Sequence, residues 1–227
     1  WCYVNNFEDP RKPISLKLLP SIGVQLKNDM EELIEELQGI IPSIFESKEY
    51  RDKQQTIINK LNEIKKKSFQ DVKERAKQEF ITIQYTASGY TLSPMSKDGK
   101  ILDKNEYQLL NAKEKEQNQE KIKKFKTQID NTAQDMLIQS RKQQKEIREL
   151  EQTMTKKAAD NSIDELKKRY EKYEKVVTYL KSVEEDIVNN SQDFLVSAQK
   201  DLSSMGIRSA KESGIFNRYR VNVLVAH

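Results

Sequence analysis

The chain has one cysteine and one histidine among its 227 residues. Cys2 by itself can form neither an intramolecular disulfide nor a cysteine metal cluster, and the terminal His227 supplies no histidine ligand set. Aromatic residues make up 7% and hydrophobic residues 36% of the chain, and the mean hydropathy is -0.85. Such a composition suits long helices with one buried stripe better than a thick globular core. No apolar run approaches the ~20 residues that cross a bilayer, and no signal-peptide pattern is present. The expectation is a reducing cytoplasm and no membrane partner. Six glycines and five prolines leave few places for the chain to break.

What abounds is charge of both signs. Forty basic and 36 acidic residues give a net charge of +4, and the two signs are interspersed. That surface favours solubility and lacks the one-sign bias of a dedicated nucleic-acid binder. Lys65, Lys66 and Lys67, and Lys121, Lys123, Lys124 and Lys126, are denser basic stretches and read as solvated helix faces.

The usual signatures of chemistry are missing. No glycine-rich loop followed by Lys-Ser/Thr is present to cradle phosphate, and no Gly-x-Ser-x-Gly elbow occurs. Acidic runs such as Glu184, Glu185 and Asp186 read as wet helix surface. No catalytic, cofactor-binding or metal site is expected within the chain.

The two ends look like strands. Trp1 to Phe7 is aromatic and β-branched, and Tyr219 to Val225 alternates apolar and polar residues. The pattern reads as a piece of a larger protein: a helical body with two strands borrowed from a host sheet. Residues 1–20 are expected to be extended, because Pro10, Pro13 and Pro20 oppose a helix. Ile14, Leu16 and Leu18 suit a second short strand.

Ser21 opens a helix with Val24, Leu26, Met30, Leu33, Ile34 and Leu37 on one face. Gly39 and Pro42 are expected to interrupt it. From Lys48 to Phe80 a stripe of Ile57, Ile58, Leu61, Ile64, Phe69, Val72, Ala76 and Phe80 marks a helix of about 45 Å. Phe80 to Tyr85 and Tyr90 to Met95 then read as a β-hairpin about a Ser88-Gly89 turn, with a second turn at Asp98-Gly99. Asp103 and Glu106 sit at capping-box spacing.

The longest helix is expected from Ala112 to at least Lys157, along Ile122, Phe125, Ile129, Ala133, Met136, Ile147, Leu150 and Met154. Ser140 and Gln143 weaken that seam. They are either a polar layer that sets register or the point where the helix changes partners, the second being preferred. Asp160-Asn161-Ser162 reads as an N-cap or a break, followed by a helix from Ile163 to Leu195. Ser203 to Gly214 reads as a mobile loop, and the last strand begins near Phe216.

The fold class is mainly α: an elongated antiparallel helical coiled-coil arm, a small β-hairpin between its helices and short strands at both chain ends. Tyr85, Tyr90, Leu92 and Met95 lie on or beside the hairpin. They are candidate substrate contacts for unfolded segments. The plainer reading, that they form the hairpin's own small core, is weighed above it.

Trp1-Cys2-Tyr3-Val4-Asn5-Asn6-Phe7-Glu8-Asp9-Pro10 resembles the W-x-Y-V-x-N-F-x-x-P segment of Lon-like ATP-dependent proteases, in the branch whose AAA+ module carries a long helical insertion. Pro13, Leu16, Leu18 and Pro20, the hairpin with Gly89-Tyr90, and Phe216 to Val225 are similar to the same family. The resemblance implies three parts. Residues 1–20 would come from the host ATPase core, 21–202 would be the helical insertion domain with its hairpin at 80–100, and 203–227 would be a loop and returning strand.

It further implies a cytoplasmic, ring-forming parent that uses ATP and Mg and cleaves peptides with a serine–lysine dyad outside this chain. The partners implied are unfolded or damaged protein substrates and the rest of the parent ATPase and protease, assembled as a homo-oligomeric ring. The leading functional expectation is a non-catalytic domain that recognises or gates substrates. The alternatives are a structural coiled-coil spacer supporting the ring and, weakest, a DNA-binding accessory domain.

Overall fold

A computed structural model describes residues 1–86, 89–203 and 214–224. It is mainly helical, with short strands near both ends and a hairpin between helices. The chain divides into two units, residues 1–54 with 147–227 and residues 55–146.

In the first unit, β1 (Cys2–Val4), β2 (Ile14–Leu16) and β5 (Asn222–Val223) form an antiparallel sheet in the order β2-β1-β5. Cys2 pairs with Leu16 on one side and Val223 on the other. Cys2, Val4 and Leu16 point into the core, as a period-two strand with one buried face requires. Between β1 and β2 the polar residues bond locally. Asn6 Nδ2 donates to the Lys12 carbonyl, and Asp9 Oδ1 accepts from the Arg11 backbone. The last strand is shorter and later than expected: residues Gly214–Tyr219 form a 3-10 helix first. Residues 204–213, most of the expected mobile loop, and the strand residue Val225 lie outside the described residues.

Helix α1 (Pro20–Phe45) begins on a proline, whose missing N–H is harmless in the first turn. The expected interruption at Gly39 and Pro42 does not occur. Pro42 removes one backbone donor three residues before the helix ends, and the Ser43 hydroxyl donates to the Gly39 carbonyl at 2.9 Å. Leu26, Met30, Leu33, Leu37, Ile41 and Phe45 form its buried stripe. Gly23 is required by close packing: a β-carbon there would lie 2.8 Å from Cys2 Sγ.

Helix α2 (Lys48–Gln78) has residues in both units, as does the helix that the expected break at Asp160–Ser162 was to end. That helix runs unbroken, after β3 (Ile81–Thr86), β4 (Gly89–Pro94) and α3 (Lys104–Leu109), as α4 from Ala112 to Arg169. Asp, Asn and Ser cost only tenths of a kcal/mol within a helix. Burial of Ala159, Ile163 and Leu166 on the same stripe outweighs them.

The break comes instead at Tyr170–Tyr173, and α5 (Glu174–Asn189) and α6 (Ser191–Ser203) follow. Tyr170 is buried there, and its hydroxyl donates to Asp29 of α1 at 2.6 Å. The expected helix from Ile163 to Leu195 is therefore three pieces.

The second unit has its own core of Val72, Ala76, Ile81, Ile83, Phe125 and Ile129. Within it α2 and α4 run antiparallel: Gln143 Nε2 donates to the Ile57 carbonyl at 3.4 Å, and Lys124 pairs with Glu79 at 2.6 Å. The preferred change of partners at the weak seam is not seen: Gln143 meets α2, and beyond it α4 still meets α2, where Tyr50 bonds Glu151 and Lys157 pairs with Glu49. From Ile147 onward Leu150 and Met154 join the core of the first unit.

Two capping boxes start the helices after the hairpin. Asp103 and Glu106 bond reciprocally at α3, and Asn111 and Glu114 do so at α4.

The first unit also carries four tyrosines whose hydroxyls resist ionisation. Burial, reinforced by Glu151, pushes Tyr50 up to about 12. Burial and a bond to Asp29 raise Tyr170, burial raises Tyr179, and burial with a bond to Asp186 raises Tyr219. The folded state thus keeps protons that the unfolded chain releases near pH 10. Their stabilisation is complete below about pH 10 and is lost as the pH climbs toward each folded value. Urea midpoints will fall as the pH rises from about pH 10 toward pH 12, and less steeply in Tyr50→Phe.

Candidate functional site

The hairpin carries the residues singled out from sequence. Its register pairs Ile81 with Pro94, Ile83 with Leu92 and Tyr85 with Tyr90. Strand alternation puts these six on one face. Ile81, Ile83 and Pro94 are buried, and this face packs on Val72, Ala76, Phe125 and Ile129. The opposite face carries Thr82, Gln84, Thr86, Thr91 and Ser93.

Tyr85 and Tyr90 are thus direct neighbours, near the turn. Tyr90 packs against the core, and its hydroxyl donates to Asp130 of α4 at 2.9 Å. Tyr85 meets the Phe69 ring edge-on and is 54% exposed. Leu92 packs against the same core. Met95 lies at the other end of β4, bridging to Ile101, so it does not join the tyrosines. Ala87 and Ser88, including part of the expected turn, lie outside the described residues.

The base of the hairpin holds residues that sequence reasoning gave to the helix seam or passed over. Phe80 adopts φ 62° and is 42% exposed. Its carbonyl accepts from Met95 N–H at 2.7 Å, and Met95 in turn pairs with Ile101, which is 44% exposed. No glycine or asparagine lies between Arg75 and Ile81, and Phe80 itself takes the left-handed position that ends α2.

A second feature lies at the terminal sheet. An open groove of about 350 Å³ is lined by Tyr3, Asn5, Pro13, Arg218, Arg220 and Leu224, among others. Arg218 is engaged elsewhere. Its Nε donates to Asp186 at 2.6 Å, and another guanidinium nitrogen donates to Asp193 at 2.7 Å. Tyr219 Oη donates to the same Asp186 oxygen at 2.6 Å. This node fastens the 3-10 helix to α5 and α6. Beyond it, β5 pairs with β1, and Leu224 N–H donates to the Trp1 carbonyl at 3.1 Å.

Residues 1–33 match the family model described as Lon-like LonC helical domain. The matched stretch holds β1, β2 and the first half of α1, including the Trp1 to Pro10 motif. It is similar to the helical region of Lon-like proteases. No curated protein and no solved structure matches the chain. Among the described residues no helix is long and apolar enough to cross a membrane, and no group of His, Cys, Asp or Glu could hold a metal ion. What the hairpin and its base offer is exposed apolar side chains, those of Phe80, Tyr85 and Ile101.

Proposed function

We propose that the chain is the helical insertion of a Lon-like ATP-dependent serine protease and that it recognises or gates protein substrates without breaking bonds. The observation that carries this reading is the pairing of β1 with β5. A domain inserted into another must depart from and return to its host at one place, and Trp1 and Leu224 are hydrogen-bonded neighbours. The Lon-like match over residues 1–33 agrees with it. On this reading residues 1–20 and 203–227 join the host and 21–202 form the insertion. ATP, Mg and the serine–lysine dyad belong to the host, which assembles as a cytoplasmic ring. Unfolded or damaged proteins are the partners, and Tyr85, the exposed one among Tyr85, Tyr90, Leu92 and Met95, is the contact they reach.

Binding of fluorescein-labelled casein to the chain tests this. Wild type binds, and Tyr85→Ala binds several-fold more weakly with an unchanged fold, since the ring is half exposed. Equal affinity in the variant removes Tyr85 as a contact. A wild-type chain that ignores casein removes substrate handling altogether.

A spacer role has one observation in its favour. Leu137 and Ile138 of α4 are 64% and 54% exposed side by side, as an apolar surface covered only in a ring would be. Sedimentation of the parent with Leu137→Glu and Ile138→Lys separates the readings, since a spacer surface so changed loses the ring.

A further inference from the structure

We propose that copies of this chain meet head to tail, the acidic outer face of α1 on one copy seated against the basic middle of α2 and α4 on the next. This rests on the reading of the parent as a ring and names the surfaces by which neighbours touch.

Charge is divided unequally along the chain. Residues 55–146 hold 19 basic and 13 acidic residues, a net of +6, whereas the other unit holds 21 and 23, a net of -2.

Helix α1 carries the acid. Its stripe of Leu26, Met30, Leu33 and Leu37 is buried, and Glu31, Glu32, Glu35 and Glu36 lie exposed on the other side. Glu31 with Glu35 and Glu32 with Glu36 are like charges four residues apart, which destabilise a helix. None of the four forms an ion pair among the described residues, and Lys27 is the one base in α1. Val24, 40% exposed, gives the same face an apolar end.

The base lies in the other unit. Gln143 meets Ile57 and Lys124 meets Glu79, so the antiparallel helices bring Leu137 level with the Lys65–Lys67 run. Residues 57–67 and 131–146 carry seven bases and three acids, Glu63, Asp135 and Glu146, all exposed. The positive excess therefore survives after every acid on these stretches is counted. Lys65, Lys66, Lys67, Arg141 and Lys142 form no ion pair among the described residues. At the centre, Leu137 and Ile138 are 64% and 54% exposed. Ile138 shares its side of α4 with Arg141 and Lys142, three and four residues on.

Two acidic faces repel, and so do two basic ones, whereas each complements the other. The occupant of the α2–α4 surface is therefore α1 of a second copy. A contact between unlike faces is the kind that builds rings, where the rotation closes.

Sedimentation of the 227-residue chain tests this. The chain associates with rising concentration at low salt, and added salt separates it. Glu31→Lys with Glu35→Lys, and Arg141→Glu with Lys142→Glu, each weaken association at least about tenfold. The milder Glu31→Gln with Glu35→Gln weakens it in the same direction, and thermal midpoints hold because all these side chains are exposed. Mixed one to one, the two charge-reversed variants associate again, since each keeps the face the other has lost.

A wild-type chain that stays monomeric at low salt overturns the proposal, whether or not it binds DNA through the basic surface. So does wild-type association in either charge-reversed variant, or no recovery on mixing. A monomeric chain whose parent still sediments as a ring loses only this contact. A chain that associates through these faces while its parent forms no ring loses only the ring reading.

Discussion

Arg218→Met lowers the stability of the fold by about 3 kcal/mol. Arg218 gives Nε to Asp186, a second nitrogen to both Asp193 and the Tyr219 hydroxyl, and a third to the Ile215 carbonyl. Asp186 is only 17% exposed. Without the guanidinium, it keeps the bonds from Tyr219 and Asn190 but has no cation. A poorly hydrated carboxylate left in that state is costly, and methionine fills the volume without supplying charge.

The loss is structural in a specific place. The 3-10 helix Gly214–Tyr219 carries the chain into β5, and Arg218 is its fastening to α5 and α6. In the variant, hydrogen exchange at Leu224 N–H, which donates to Trp1, and across the Cys2–Val223 pair speeds up, while the hairpin of the other unit is unaffected. Arg218→Lys recovers only part of the loss, because an ammonium cannot reach both carboxylates and the Ile215 carbonyl in one plane. An unfolding midpoint in Arg218→Met equal to wild type would show that the node contributes nothing.

Asp29→Ala is the second large loss, about 2–3 kcal/mol. Asp29 is buried on α1 and accepts from Arg169 at 2.7 Å and from the Tyr170 hydroxyl at 2.6 Å. The two partners respond differently. Arg169 is 47% exposed and turns to water at little cost. Tyr170 is 1% exposed, so its hydroxyl stays dry and unpaired. Tyr170→Phe alone costs less, about 1 kcal/mol, since Asp29 keeps Arg169. The double variant Asp29→Ala, Tyr170→Phe is then more stable than Asp29→Ala by itself. Denaturant midpoints of the three variants check this, and strict additivity would break the account.

Neither residue stood out in the sequence. Asp29 looked like one more acid on a charged helix, next to Glu31 and Glu32. Its partners lie about 140 residues away, and no pattern of spacing joins two helices at that distance. Arg218 lay inside a motif that resembles the Lon family, yet the motif says nothing of Asp186 and Asp193.

The hairpin was more legible. Alternation at Ile81, Ile83 and Tyr85 and at Tyr90, Leu92 and Pro94 gave both strands, and the register followed from a short turn. Phe80 was harder, because its apolar character fitted the α2 stripe three and four residues from Ala76 and beyond. Only the dihedral angle removes it from the helix.

The sequence by itself determined what acts over a turn or two of backbone. The reciprocal Asp103–Glu106 cap, the helical stripes of α1 and α2, the Asp98-Gly99 turn and the strands around Tyr3 and Ile14 all follow from groups that meet their neighbours in the chain. Tertiary structure alone decided the rest. It carried α1 through Pro42 and α4 through Asp160–Ser162, where the buried stripes around Ile41 and Ile163 together outweigh the local penalty. It placed the break at Tyr170, joined β1 to β5 and found partners for Asp29 and Arg218. Those outcomes depend on which distant surfaces exclude water together, and a one-dimensional pattern does not carry that.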